Sequence, residues 1–196
     1  MEKYKLTVLA APSATDVLNQ IGIIFDEYGG ARPLEINSDE EMLELGNKML
    51  EDTDEDTIIL ASYTELRMND KKIGVPPDKE EAKTILKQLS GKTHYFVTKL
   101  CIGGAGEPPE VVNVKTGVSL KNFDKWEIDG YLSIWDYNYP GGYSPFGQGA
   151  LFVRSISGDF NTIKGMPVST LMELLERKYG ITPVNDKKIW KKGSNI

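Results

Sequence analysis

The stretch IGVPPDKEEAKTILKQLSGKTH, residues 73–94, restricts the fold more than any other part of the chain. Pro76 and Pro77 stop a strand-like run, because proline lacks an N–H and turns the preceding residue away from helical backbone. Asp78, Glu80 and Glu81 then set negative charge at the positive start of a helix. Ala82, Ile85, Leu86 and Leu89 give that helix one apolar stripe, and Gly91 ends it. The strand-like run HYFVTKLCI, 94–102, follows at once. A helix that must bury one face between two strands commits the chain to layers of helix on sheet.

The same alternation continues elsewhere. YKLTVLA, 4–10, reads as a buried strand, after which Ser13 is placed to cap a helix carrying Val17, Leu18 and Ile21 up to Gly22. Ser38 with Glu41 three residues on forms a capping-box signature for a helix through Met42, Leu43, Leu45, Met49 and Leu50. TIILASYTELRM, 57–68, is a strand running into Asn69-Asp70, a hairpin turn signal. Beyond residue 102 come the loop GGAGEPP and the strand EVVNVKTGVSL, expected to pair antiparallel with 94–102, then an amphipathic helix over 123–134. The aromatic and glycine-rich run WDYNYPGGYSPFGQG, 135–149, is too long for a simple turn and is a candidate functional loop. ALFVRSISGDFNTI reads as a hairpin turning at Gly158-Asp159, and 168–180 as a closing helix capped by Gly180. These elements predict an α/β chain with an α+β mixed sheet, without internal repeats or low-complexity linkers.

Composition narrows the function. Hydrophobic residues at 40% and charged residues at 27% of 196 fit a globular chain, and no apolar run nears the roughly 20 residues of a membrane span. The N-terminal apolar stretch is too short for a signal sequence, so a cytoplasmic location is expected. Cys101 is the one cysteine, expected as a small buried hydrophobe, and no Cys/His cluster suggests zinc. The net charge of −6 argues against general affinity for a nucleic-acid backbone. Its acid is concentrated in 38–56, where DTDED lacks the glycine and distant glutamate of a calcium loop and reads as a solvated face. Lys187, Lys188, Lys191 and Lys192 around Trp190 form a basic tail suited to a protein or ribonucleoprotein partner.

Two long segments carry a family resemblance. DKEEAKTILKQLSGKTHYFVT and GGYSPFGQGALFVRSISGDFNTIKGMPVSTLMELL resemble the Maf family of nucleoside triphosphate pyrophosphatases, related in fold to the inosine triphosphate pyrophosphatases. The resemblance covers nearly the whole chain. It implies one domain over 1–183, with two lobes around a central cleft, followed by the 184–196 tail. It further implies cleavage of a nucleotide between its α- and β-phosphates with a divalent metal, which needs cations for the phosphates and a carboxylate for metal or water.

Position by position, the charges that this chemistry implies are missing. After the first strand the family carries two arginines, where this sequence has Ser13 and Ala14. The family's strand-end aspartate aligns with Tyr63, beside a retained Thr64, and its Gly-Lys-Pro lysine with Val75. The glutamine of the aromatic loop aligns with Phe146, and Lys48 stands one position off a family lysine. Gly91, His94, Gly142, Tyr143, Gly158, Asp159 and Pro167 keep the family frame and read as turn and packing residues; Lys92 and His94 form an acid–base candidate pair, but His94 at a strand start is expected to hydrogen-bond to a neighbouring loop instead. Each charge-assisted phosphate contact is worth about 1.5–3 kcal/mol, so the losses remove on the order of 6 kcal/mol or more. The expectation is a degenerate site without cofactor, in a binding or scaffold component. Its base pocket would be lined by Tyr63, Thr64, Tyr139, Tyr143 and Phe146. The alternative is an active pyrophosphatase using Mg or Mn, with Glu65 and Asp16 as displaced carboxylates. A homodimer is expected by family analogy alone.

Overall fold

The computed structural model describes residues 4–182 apart from Arg32 and Leu34. The basic tail, with Lys187, Lys188, Trp190, Lys191 and Lys192, lies outside the described residues. Six α-helices and seven strands are present among those described, with sheet order β2-β1-β3-β5-β6-β7 and β4 paired to β3. The chain divides into two compact units. Unit 1 holds the residues up to Thr64, Thr98–Val114 and those from Lys164 on; unit 2 holds Glu65–Val97 and Lys115–Ile163.

In unit 1, β1 (Lys5–Leu9) runs parallel to both β2 (Asp26–Glu27) and β3 (Thr57–Met68), pairing Leu6 with Ile58 and Thr7 with Asp26. Parallel neighbours need crossovers. They are supplied by α1 (Pro12–Gln20) and α2 (Asp39–Glu51). The expected Ser38 cap forms, its hydroxyl accepting the Glu41 N–H at 3.1 Å, while the Glu41 carboxylate takes the N–H of Asn37, one residue earlier than a closed capping box requires. Ser13 is not the cap of α1. Pro12 occupies the first helical position, where its missing N–H costs nothing, and Ala11 becomes the cap without a side-chain bond. The core joins Leu6, Val8, Val17, Leu18, Ile58, Leu60 and Leu100 to Leu171, Leu174 and Leu175 of α6 (Val168–Tyr179), which Gly180 ends in left-handed backbone as expected.

Unit 2 has its own core, centred on Leu86, Leu89, Val118, Tyr131, Tyr143 and Phe152. α3 (Lys79–Leu89) forms where expected, with Asp78 accepting the Glu81 N–H at 2.8 Å. Asn69 and Asp70, both at positive φ, turn the chain from β3 into β4 (Lys71–Ile73), as the hairpin signal requires. β5 (Thr93–Gly104) and β6 (Glu107–Leu120) are joined through Ala105-Gly106, so most of the expected glycine-rich loop is strand. α4 (Lys125–Ile134) opens with a full capping box between Asp124 and Glu127. The Gly158-Asp159 hairpin is a correction: β7 (Val153–Ser157) stops there and a short helix, α5 (Phe160–Ile163), follows. The Asp159 carboxylate accepts the Asn161 N–H at 2.8 Å, which turns the chain into a helix rather than back into a strand.

Gly46 of α2 shows how closely helix meets sheet in unit 1, since a Cβ there would lie 2.6 Å from the buried Cys101 sulfur. Burial also raises the Cys101 thiol pKa to about 11, so it stays protonated. Gly46→Ala is expected to cost about 1–3 kcal/mol in urea unfolding, and the loss should shrink when combined with Cys101→Ala. Strict additivity of the two changes would show that the sulfur is not the obstacle.

Candidate functional site

In unit 1, the start of α1, the middle of β3 and the segment after Lys164 come together around small side chains. Ala14 has no solvent exposure, and a Cβ placed on Gly165 would stand 3.3 Å from the Ala14 Cβ and 3.1 Å from the Thr64 hydroxyl. Gly165 is at φ +94, a conformation that itself favours glycine. The Ser13 hydroxyl donates to the Lys164 carbonyl at 2.8 Å, and Thr64 and Thr98 share a hydroxyl–hydroxyl bond of 2.8 Å. Thus the two positions expected to bear guanidinium groups hold a hydroxyl committed to the backbone and a methyl group sealed in the core. Ser62, Thr98 and Gly165 were not singled out from the sequence; their meeting is tertiary, and only the small size of each residue hinted at it. Tyr63 packs, half-buried, against the cluster of Leu9, Met42, Met49 and Cys101. Asp16 is exposed on α1.

In unit 2, the aromatic loop is built inward. Gly141 and Gly142 are left-handed, and the Gly141 N–H donates to the Gly74 carbonyl at 3.0 Å, next to the exposed Val75. Cβ atoms on these glycines would meet Leu66 and Leu89 at 3.2–3.3 Å and Ala82 at 3.4 Å. The turn therefore delivers Tyr143 into the core, 1% exposed, with its hydroxyl 2.6 Å from Nε2 of the fully buried His94. Tyr143, read both as a packing residue of the family frame and as lining a base pocket, is buried as a packing residue, whereas Tyr139 and Phe146 remain exposed. Glu65 is nearly buried, and its carboxylate accepts from the Arg67 guanidinium Nε at 2.5 Å. Among the described residues, no three His, Cys, Asp or Glu side chains stand together as metal ligands.

A model of the Maf-like protein family matches residues 16–178, so the chain belongs to the Maf family. The chain is 38% identical over 122 residues to a dTTP/UTP pyrophosphatase of Pyrococcus furiosus, covering 62% of this chain and 63% of that protein. It is 32% identical over 197 residues to a dTTP/UTP pyrophosphatase of Agathobacter rectalis, covering 88% of this chain and 95% of that one. A nucleoside-triphosphatase structure from Mycobacterium abscessus superimposes with a TM-score of 0.37 at 12% identity, over 62% of this chain and 76% of that one, too slight a likeness to carry weight.

His94 gives the protein a defined acid response. Burial lowers its pKa from 6.5 to about 4, and Nδ1 has no hydrogen-bond partner among the described residues. Between pH 6.5 and 4 the unfolded chain binds a proton that the folded chain refuses. This contribution to stability is complete above about pH 6.5, falls by about 3 kcal/mol through the window and levels off below pH 4. Unfolding of His94→Gln followed against pH should show a flatter slope there; slopes identical to wild type would refute the assignment.

Proposed function

We propose that this Maf-family chain is a nucleoside-binding or scaffold component that does not hydrolyse triphosphates. The observation that carries the reading is the seal around Ala14: a buried methyl group and a backbone-bonded Ser13 leave no cation at either arginine position. Val75 brings no charge where a lysine is expected, and Tyr63 cannot act as the metal-binding carboxylate. The related dTTP/UTP pyrophosphatases supply the ligand class. Tyr139 and Phe146, exposed aromatic rings, are the residues we assign to stacking a base. The alternative active enzyme is disfavoured because the Glu65 carboxylate is taken up by Arg67. No cofactor is part of the proposal, and a cytoplasmic location and a homodimer remain proposals by family analogy. The basic tail is assigned to an acidic protein or ribonucleoprotein partner.

Pyrophosphate release from dTTP, UTP and the other common triphosphates, with Mg or Mn, is expected at background. Metal-dependent turnover abolished by Glu65→Gln would replace this reading with the relocated-carboxylate enzyme. In thermal unfolding, a nucleoside or monophosphate should stabilise the protein as much as the triphosphate, since no extra cations reward extra phosphates. At about 100 times the dissociation constant the gain is about 2.7 kcal/mol, a melting shift of about 5–10 °C. A shift confined to triphosphate plus metal would reveal a phosphate site.

A further inference from the structure

His94 is a buried polar group that the proposed function leaves unused. It has no solvent exposure, its Nδ1 has no partner among the described residues, and its Nε2 shares the 2.6 Å hydrogen bond with the Tyr143 hydroxyl. An imidazole with one nitrogen unpaired is a costly way to fill the core of unit 2, since an apolar side chain of similar size would bury no unsatisfied atom. What the bond holds in place has to account for it.

Tyr143 and Ser144 stand between two tight turns. In the first, the Gly142 N–H donates to the Tyr139 carbonyl at 2.8 Å; in the second, the Gly147 N–H donates to the Ser144 carbonyl at 3.2 Å, with Phe146 inside the turn. Each turn carries one of the two exposed rings. Both turns are fixed from the piece between them: the Tyr143 side chain is held by His94 of β5, and the Ser144 backbone by a hydrogen bond with the Tyr131 phenol of α4. The far end of the loop closes on the same post, since a Cβ on Gly149 would lie 2.6 Å from the Tyr143 ring and 2.7 Å from the Ser144 carbonyl oxygen. Four rings compete for this place, those of Tyr137, Tyr139, Tyr143 and Phe146. A hydroxyl required at Nε2 disfavours Phe146, and the left-handed pair Gly141-Gly142 brings in Tyr143 rather than Tyr137 or Tyr139.

We infer that His94 and Tyr143 are positioning residues of the base site. Their hydrogen bond sets the register of residues 139–149, so that the rings of Tyr139 and Phe146 stay outward and are in place before a base arrives. Ordering the rings in advance removes a cost that binding would otherwise carry. The inference rests on Tyr139 and Phe146 being the base-stacking residues, and neither His94 nor Tyr143 touches the ligand.

The test sets calorimetric titration with UMP and with thymidine, at neutral pH, beside urea unfolding and amide hydrogen exchange over 135–149. It uses wild type, His94→Leu, Tyr143→Phe and the double variant. Each single change leaves one buried polar group unpaired and should lower the urea midpoint, whereas the double variant replaces both partners by apolar groups and should regain most of the loss. Binding should not follow stability. The double variant should bind both probes about tenfold more weakly than wild type, no worse than the weaker single variant, and exchange its loop amides faster. His94→Gln, whose amide can take the place of Nε2, should bind within about twofold of wild type. A double variant that binds both probes and exchanges its loop amides as wild type does overturns the positioning role alone. Should the double variant not fold, equal binding by His94→Gln and Tyr143→Phe overturns it instead. Tyr139→Ala and Phe146→Ala test the reading beneath: undiminished binding in both, or no binding by wild type, overturns base stacking and the positioning role together.

Discussion

The close approach of Ala14, Thr64 and Gly165 governs what unit 1 can do. A Cβ on Gly165 would stand 3.1–3.3 Å from its neighbours, tighter than side chains normally pack, and Ala14 is fully buried. The Ser13 hydroxyl, bonded to the Lys164 carbonyl, ties the start of α1 to the segment leading into α6. Three distant parts of the chain meet there without a side chain larger than threonine. A guanidinium at position 14 would need space, water and counter-charge that this arrangement does not offer.

Unit 2 uses its most ligand-like sequence for folding. The left-handed pair Gly141-Gly142 lets the loop pass close over Leu66, Leu89 and Ala82, and the result is to sink Tyr143 onto His94. Burial keeps the Tyr143 phenol protonated, its pKa raised well above normal, and keeps the imidazole neutral. A hydrogen bond between two neutral groups in an apolar core avoids the charge burial that a catalytic role would impose. The retained glycine-tyrosine motif is therefore explained without any ligand.

The sequence revealed most where physics is local. The Ser38 cap, the left-handed end at Gly180, the turn at Asn69-Asp70 and the apolar stripe of α3 depend on residues within about one helical turn and formed as expected, although Glu41 closed on Asn37 rather than on Ser38. Errors arose where two local signals competed. Pro12 displaced Ser13 as the determinant of the α1 start, and Asp159 capped a helix where its pairing with glycine suggested a hairpin. The Asp124–Glu127 capping box was present in the sequence but was hidden by reading the apolar pattern from Phe123 onward. At the site, the missing charges were legible by their identity alone. The burial of Tyr143 and the pairing of Glu65 with Arg67 were not, because one depends on tertiary packing and the other on a side-chain choice between solvent and a neighbour.

The positions that keep the family frame have a backbone reason of their own. Gly91 and Gly158 have positive φ, and Pro167 begins α6, so each is kept by the backbone whether or not a phosphate is bound. Charged residues in a phosphate site carry no such second duty. Ala14 and Gly165 approach so closely that substitutions at the two positions are expected to be coupled rather than additive. A cation at position 14 would have to reopen this contact, and a lone buried cation without a counter-charge destabilises the fold.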